Sequence, residues 1–354
     1  MHTYILSIKT SPPEKEAEDR SPKATPSYHY NSDPKRNANN SVPFLVKQCA
    51  QNTLTKHWTT RIPLLQTQSP AELASAVILD VFRALESSSP STSPKAQQEN
   101  NNEWKVVDFC SGSGGPIPHI EKHVNRLRLE ANRPPIAFNL SDLYPNIDAW
   151  LEPCSRSADL SFIPDPVDAT NPPFAAISSS TPGDKEVALR AGYEHDGRKV
   201  LRTFCLAFHH FDDEGAIRVL KSTMETSDAL VVFELQERRV GSCLLMGLEF
   251  FLVFLVSLFW FPGDWLHLFL VYGLPVLPTL HAFDGLVSCL RTRTFGEFVL
   301  LLDRALGIQR GLVGSSDALG SVRRGDWVFT NRRVLHTWPL GYMNATVGMK
   351  VKPE

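Results

Sequence analysis

The 354 residues carry 36 Lys and Arg against 38 Asp and Glu, a formal net charge of −2, and no long basic block, which argues against a nucleic-acid partner. A hydrophobic content of 42% is enough for one large core or two small ones. The six cysteines (Cys49, Cys110, Cys154, Cys205, Cys243 and Cys289) include no CxxC pair, and the first residues show no charged stretch leading into an apolar one, so reduced thiols and no secretory signal are expected.

In chain order, residues 1–42 are rich in Pro, Ser, Asn, Lys and Glu and predict a disordered tail, because they hold too little apolar area to offset the entropy of ordering. Residues 43–98 predict N-terminal helices and a linker. Ser69-Pro70-Ala71-Glu72 supplies an N-cap, a proline at the first helical position and an early acid, and "SSSPSTSPKAQQENNNE" (87–103) has linker composition. From Trp104, apolar runs recur at 104–108, 136–140, about 160–167, 201–208 and 229–235, several followed by turn residues and a helical stretch. This alternation predicts an open, mostly parallel α/β sheet over 99–240. In such sheets ligands bind outside the carboxyl ends of the strands. The residues there are Asp108, Asp142, Asp168, the pair His209-His210, and Glu234.

The string "WKVVDFCSGSGGPIPHIEK" (104–122) places Gly112, Ser113, Gly114 and Gly115 directly after the first strand. Glycines at a strand-to-helix turn let a ligand touch the main chain while N–H groups face outward, which points to a nucleotide-like cofactor. A nicotinamide dinucleotide calls for G-x-G-x-x-G; counted from Gly112, the last position is Ile117.

The strings "DFCSGSGGP", "SDLYPN", "PVDAT" and "FHHF" together resemble the class I S-adenosylmethionine-dependent methyltransferases, over roughly 104–240 and 281–354. The resemblance implies a Rossmann-like sheet, mostly parallel with an antiparallel last strand, and S-adenosyl-L-methionine as cofactor. It also implies a site in which Asp108 and the glycine turn lie beneath the methionine part and Asp142, with Leu143 beside it, takes the ribose. Asp168 and Ala169 would lie near the adenine, and Phe208 and the two histidines near the reactive methyl. "WVFTNRRVLHTWPLGYMNATVGMKV" is then the terminal antiparallel pair. Two departures stand out: the gap from Asp108 to Asp142 is long for the family, and "NPPF" (171–174) follows the third strand, where it reads as a proline turn. Each acid also has a structural alternative, bonding the N–H groups of its own turn.

His209 and His210, if on a strand, point to opposite faces. One of them is a candidate to take a proton from the acceptor, with Glu234 orienting it. Cys110 is expected to be a small packing residue, and no metal is called for.

Residues 241–280 interrupt the core, with "LLMGLEFFLVFLVSLFWFPGDWLHLFLVYGLPVLPTL" at 244–280. The first limb, 240–261, carries Glu249 as its one charge and is long enough for a hydrocarbon layer; the second, 265–281, is shorter and holds Pro275 and Pro278. Arg238-Arg239 before the insert and Arg291 and Arg293 after it favour a cytoplasmic location for both ends. A membrane hairpin is expected, crossing twice or dipping into one leaflet, with a buried cap over the site as the alternative. Glu249 would need a partner there. A membrane-associated methyltransferase acting on a small lipophilic acceptor, such as a secondary metabolite, is the leading expectation. A non-catalytic membrane scaffold with the same fold and a nicotinamide-dependent oxidoreductase are the alternatives.

Overall fold

Eight strands form one sheet in the order β3-β2-β1-β4-β5-β8-β7-β6. The computed structural model describes residues 43–87, 104–181, 197–308 and 320–351, so the expected tail and nearly all of the linker lie outside the described residues. Strands β1 (Trp104–Phe109), β2 (Ala137–Leu140), β3 (Leu160–Phe162), β4 (Lys199–Cys205) and β5 (Ala229–Glu234) are mutually parallel, and the order reverses between β1 and β4. On β5 lies the antiparallel β8 (Gly341–Lys350), followed by β7 (Trp327–Thr337) and the short edge strand β6 (Ser321–Arg324).

The runs that form the central strands are continuous rather than alternating because helices cover both faces of the sheet. On one face α2 (Pro70–Ser87) and α3 (Ile117–Glu130) enclose Phe82, Ile120, Phe138 and Val231. On the other, α5 (Asp213–Thr226) and α9 (Phe295–Ala305) enclose Phe109, Phe204, Val219 and Phe298. Helix starts follow capping chemistry. Ser69 and Glu72 bond each other's backbone N–H at α2, and Thr294 and Glu297 do the same at α9.

Two strand expectations need correction. β3 stops at Phe162 rather than about 167, because Pro164 and Pro166 have no N–H for the ladder. β4 stops at Cys205; Leu206 then turns to φ 53° and residues 208–210 form a 3-10 turn, so His209 and His210 are not on a strand. The long Asp108–Asp142 gap is taken up by the 14-residue α3 and a loop. "NPPF" leads into a 3-10 turn between β3 and β4.

Before the sheet runs α1 (Phe44–Thr59), and after β2 comes the short α4 (Ile147–Ser155). The insert is α6 (Val240–Trp260), then α7 (Trp265–Gly273), whose last residues widen to a π-turn, then α8 (Val276–Arg291). α7 and α8 meet at 75° across Leu274-Pro275. α8 runs unbroken through residues 280 and 281, joining the insert to the following segment without a break. A third, small core of Cys49, Ala50, Val253, Leu270, Val271 and Leu277 ties this assembly to α1.

Candidate functional site

The switch point between the carboxyl ends of β1 and β4 is where the order of the sheet leaves a crevice. Both chains leave their strands there through left-handed residues, Cys110 at φ 60° and Leu206 at φ 53°. Cys110 is exposed at this corner, which corrects the expectation that it packs inside. Gly112 (φ 54°) and Gly114 (φ 94°) continue the turn in a region that side-chain-bearing residues avoid. At Gly114 a Cβ would meet nothing nearer than 3.7 Å, so conformation rather than crowding calls for glycine.

Asp108 holds the turn from below. It is aligned with Thr203 across the β1–β4 ladder, so the Thr203 hydroxyl donates to Asp108 Oδ1 at 2.8 Å while Ser111 Oγ donates to Oδ2 at 2.7 Å. Burial pushes this carboxyl up to about 7, against the pull of those hydroxyls. The side chain is 2% exposed, which places it under the turn as an anchor rather than on its open face.

Asp142, just past β2, spans the crevice. Its Oδ2 accepts the Gly112 N–H at 2.8 Å and its Oδ1 the Tyr144 N–H at 2.8 Å. Burial raises its pKa, and these two N–H groups together with nearby Lys47 oppose the rise. Leu143 beside it is half-buried. The Trp150 indole N–H donates to Gly112 O at 3.0 Å, fixing the turn from α4.

Asp168 is exposed and its Oδ1 accepts the Thr170 N–H and hydroxyl, both at 2.8 Å, closing a local turn, while Ala169 is buried behind it. Phe208 lies 5.7 Å from Phe298 and 6.1 Å from Phe204, between ring centroids. These contacts commit it to the α9 face of the sheet, not to the glycine turn, because the 3-10 turn after Cys205 swings it there.

The two histidines are not on opposite faces: their rings are 4.3 Å apart, as a tight turn brings neighbours together. His209 is buried, with Nδ1 2.7 Å from Glu234 Oε2 and Nε2 3.2 Å from Ser288 Oγ on α8. Desolvation lowers its pKa, but Glu234 outweighs that and the net shift is upward. Both ring nitrogens are therefore engaged. His210 reaches the surface, but its ring lies against His209, and desolvation on that side, followed by the charges of His209 and Arg291, lowers its pKa to about 3.

One group of site residues was missed by sequence reasoning. α1 lies over the glycine turn: Ser113 Oγ donates to Gln51 Oε1 at 2.8 Å and receives Asn146 Nδ2 at 3.0 Å. Nothing local announces a contact across 62 residues, and the spacing of polar residues on α1 carries no signal of it.

No protein-family model matches the chain, and no curated protein matches it. Among solved structures it is similar to LepI in complex with SAM, with 13% identity and a TM-score of 0.34 over 75% of this chain and 46% of that one. It is similar to the trans-methyltransferase CalH in complex with SAH, with 12% identity and a TM-score of 0.37 over 72% and 54%. It is also similar to the magnesium protoporphyrin IX methyltransferase of Synechocystis PCC 6803 with bound SAH, with 10% identity and a TM-score of 0.36 over 79% and 83%. The chain spans about half the length of the first two. Five parallel strands with their reversal between β1 and β4, an antiparallel β8 on β5, and a glycine turn at the reversal give this chain the Rossmann-like fold of the class I methyltransferases.

Proposed function

We propose that this chain is an S-adenosylmethionine-dependent methyltransferase that acts on a small lipophilic acceptor, such as a secondary metabolite, drawn from a membrane surface. The observation that carries the reading is the glycine turn at the switch point, braced by Asp142 and roofed by α1. The residues present fit such a cofactor. Gly112, Gly114 and Gly115 offer backbone without side chains, and each Asp142 oxygen takes one N–H and keeps acceptor capacity for a ribose hydroxyl. The exposed Asp168 and buried Ala169 stand on the β3 side, where the adenine would lie. Ile117 is fully buried at the start of α3, where a nicotinamide fingerprint needs its third glycine, and this disfavours the oxidoreductase alternative.

The cofactor supplies a methyl group already activated on a sulfonium. The protein's task is then to align the acceptor and exclude water. Gln51 and Lys47 on α1 cover the crevice, and Asp142 orients the ribose. His209 is a positioning residue in this geometry, since Glu234 and Ser288 hold both of its ring nitrogens. His210 is the exposed histidine of the pair, and with its pKa lowered to about 3 it offers a neutral ring beside the acceptor rather than a general base.

The membrane part of the proposal comes from α6. It has 21 residues, an 18-residue stretch of which has a mean hydropathy of 2.3, and a length of about 31 Å at ~1.5 Å per residue. Leu244, Leu248, Phe251, Leu255, Leu258 and Phe259 form an exposed stripe at helical spacing, with Phe259 78% exposed. The inner face carries Ser242, Ser257 and Glu249, and Glu249 finds His57 at 3.5 Å and His281 at 4.0 Å. The polar helix α1 packs against this inner face as far as the His57–Trp260 contact. Crossing a bilayer would drag α1 with it, so contact with one leaflet is the favoured arrangement, with the catalytic sheet on the cytoplasmic side.

Calorimetric binding of S-adenosylhomocysteine to detergent-solubilised protein tests the core of this reading. Wild type is expected to bind and Asp142→Ala to lose at least tenfold in affinity, because bonds to a charged carboxylate contribute about 1.5–3 kcal/mol. A well-folded wild type that does not bind overturns the enzyme reading and leaves the scaffold alternative.

A further inference from the structure

Resting on the membrane contact just proposed, we propose that the cavity between the base of the hairpin and α9 binds the phosphate headgroup of an anionic bilayer lipid. This cavity has a volume of about 550 Å³ and is lined by Arg238, Arg291, Arg293 and Arg304 together with the acids Asp213, Glu297 and Asp303. Three of the four are paired: Arg238 with Glu297 at 2.9 Å, Arg293 with Asp213 at 2.9 Å, and Arg304 with Glu214 at 2.7 Å. Asp303, which also lines the cavity, is held by Arg324, and Arg291, at the last residue of α8, forms no ion pair within 4.0 Å among the described residues, Asp284 earlier on the same helix acting on it only at longer range. A planar guanidinium with fixed donors matches phosphate oxygens, and its neighbours are already oriented by their carboxylates.

The surroundings select a lipid over a free anion. Leu300 and Ile308 line the same cavity, and Leu290, one residue before Arg291, is 64% exposed. Val240, just past Arg238 and Arg239, is 77% exposed and begins the apolar stripe of α6. A phosphodiester in the cavity would have acyl chains, and these leucines and the stripe give them an apolar surface to follow. Inorganic phosphate uses none of that surface. The arginines therefore sit at the depth where a leaflet presents its phosphates if α6 lies among its chains.

Flotation of the full-length protein with vesicles, after detergent removal, separates the outcomes. Wild type is expected to float with phosphatidylcholine vesicles and to bind mixed phosphatidylcholine–phosphatidylglycerol vesicles more tightly. Arg291→Gln is expected to lose about fivefold of that advantage and nothing on phosphatidylcholine alone, since one cation near an anionic surface contributes about that factor. Arg156→Gln, an exposed arginine on the helical side of β3, keeps the full advantage. Equal loss in both variants, or none in Arg291→Gln, overturns the site, the first by showing diffuse attraction. Wild type that floats equally with both vesicles overturns the headgroup site but leaves the membrane reading standing. Failure to float with either overturns both. A rise in melting temperature with inorganic phosphate equal to that with phosphatidylglycerol shows a free-anion site and overturns the lipid assignment.

Discussion

The carboxyl end of the sheet and the hairpin solve the same problem in opposite senses. At the glycine turn an acid is buried beneath hydroxyl donors, apolar side chains fill both faces of the sheet, and polar groups ring the opening. In the hairpin the apolar side chains face outward, while Glu249 and His281 are turned inward toward His57 of α1. The first pattern suits water as the surrounding medium; the second suits hydrocarbon. α1 serves both, touching Ser113 with Gln51 and Glu249 with His57. One helix thus links the glycine turn to the apolar face of the hairpin.

The largest effect expected from breaking this contrast is at Leu255, which is 67% exposed in the middle of the α6 stripe. Leu255→Arg is expected to cost about 2.5–3.5 kcal/mol of membrane association, the insertion cost of a central arginine, seen as a shift of the protein from the membrane pellet to the supernatant. An unchanged distribution would mean that the stripe faces water.

Second in size, taken per pH unit, is the pH response of the other region. With Asp108 titrating near 7 when folded and near 3.8 when unfolded, the folded state holds the extra proton between these values. Stability is therefore expected to fall as pH rises from about 4 to 7, by up to about 1.4 kcal/mol per pH unit, and then to level off. Asp108→Asn should flatten that slope in melting curves taken across the window. Identical slopes in both proteins would remove Asp108 from the role of buried anchor.

The smallest effect tests the link. Gln51→Ala removes one neutral hydrogen bond between α1 and the glycine turn, and about 1 kcal/mol is expected, shared between a small fall in melting temperature and a loss of up to roughly fivefold in S-adenosylhomocysteine affinity. Unaltered affinity would separate α1 from the cofactor side and leave it a partner of the hairpin alone.

The acid-then-glycine turn was legible because its requirement is local: a strand that ends where backbone must run left-handed has few residue choices. The endings of the neighbouring strands were not. Nothing in "RTFCLAFHHF" says that Cys205 is the last paired residue, and that one decision moved Phe208 to the α9 face and put the two histidines side by side. Glu249 shows the boundary well. Its need for a partner follows from a lone charge in an apolar run, but the partners, His57 and His281, come from helices far apart in the chain.

By itself, then, the sequence determined the periodic and local features: parallel strands as continuous apolar runs, a glycine turn after Asp108, proline breaks in the hairpin, and a segment too apolar for an ordinary surface helix. Tertiary structure decided which distant groups meet: Gln51 over Ser113, Ser288 against His209, and Arg291 beside the paired arginines at the hairpin base. The reason is physical. Backbone conformation and hydrophobic patterning act over a few residues and leave a periodic trace. A hydrogen bond or ion pair across the fold depends on how whole elements pack, and leaves no trace in the spacing of either partner.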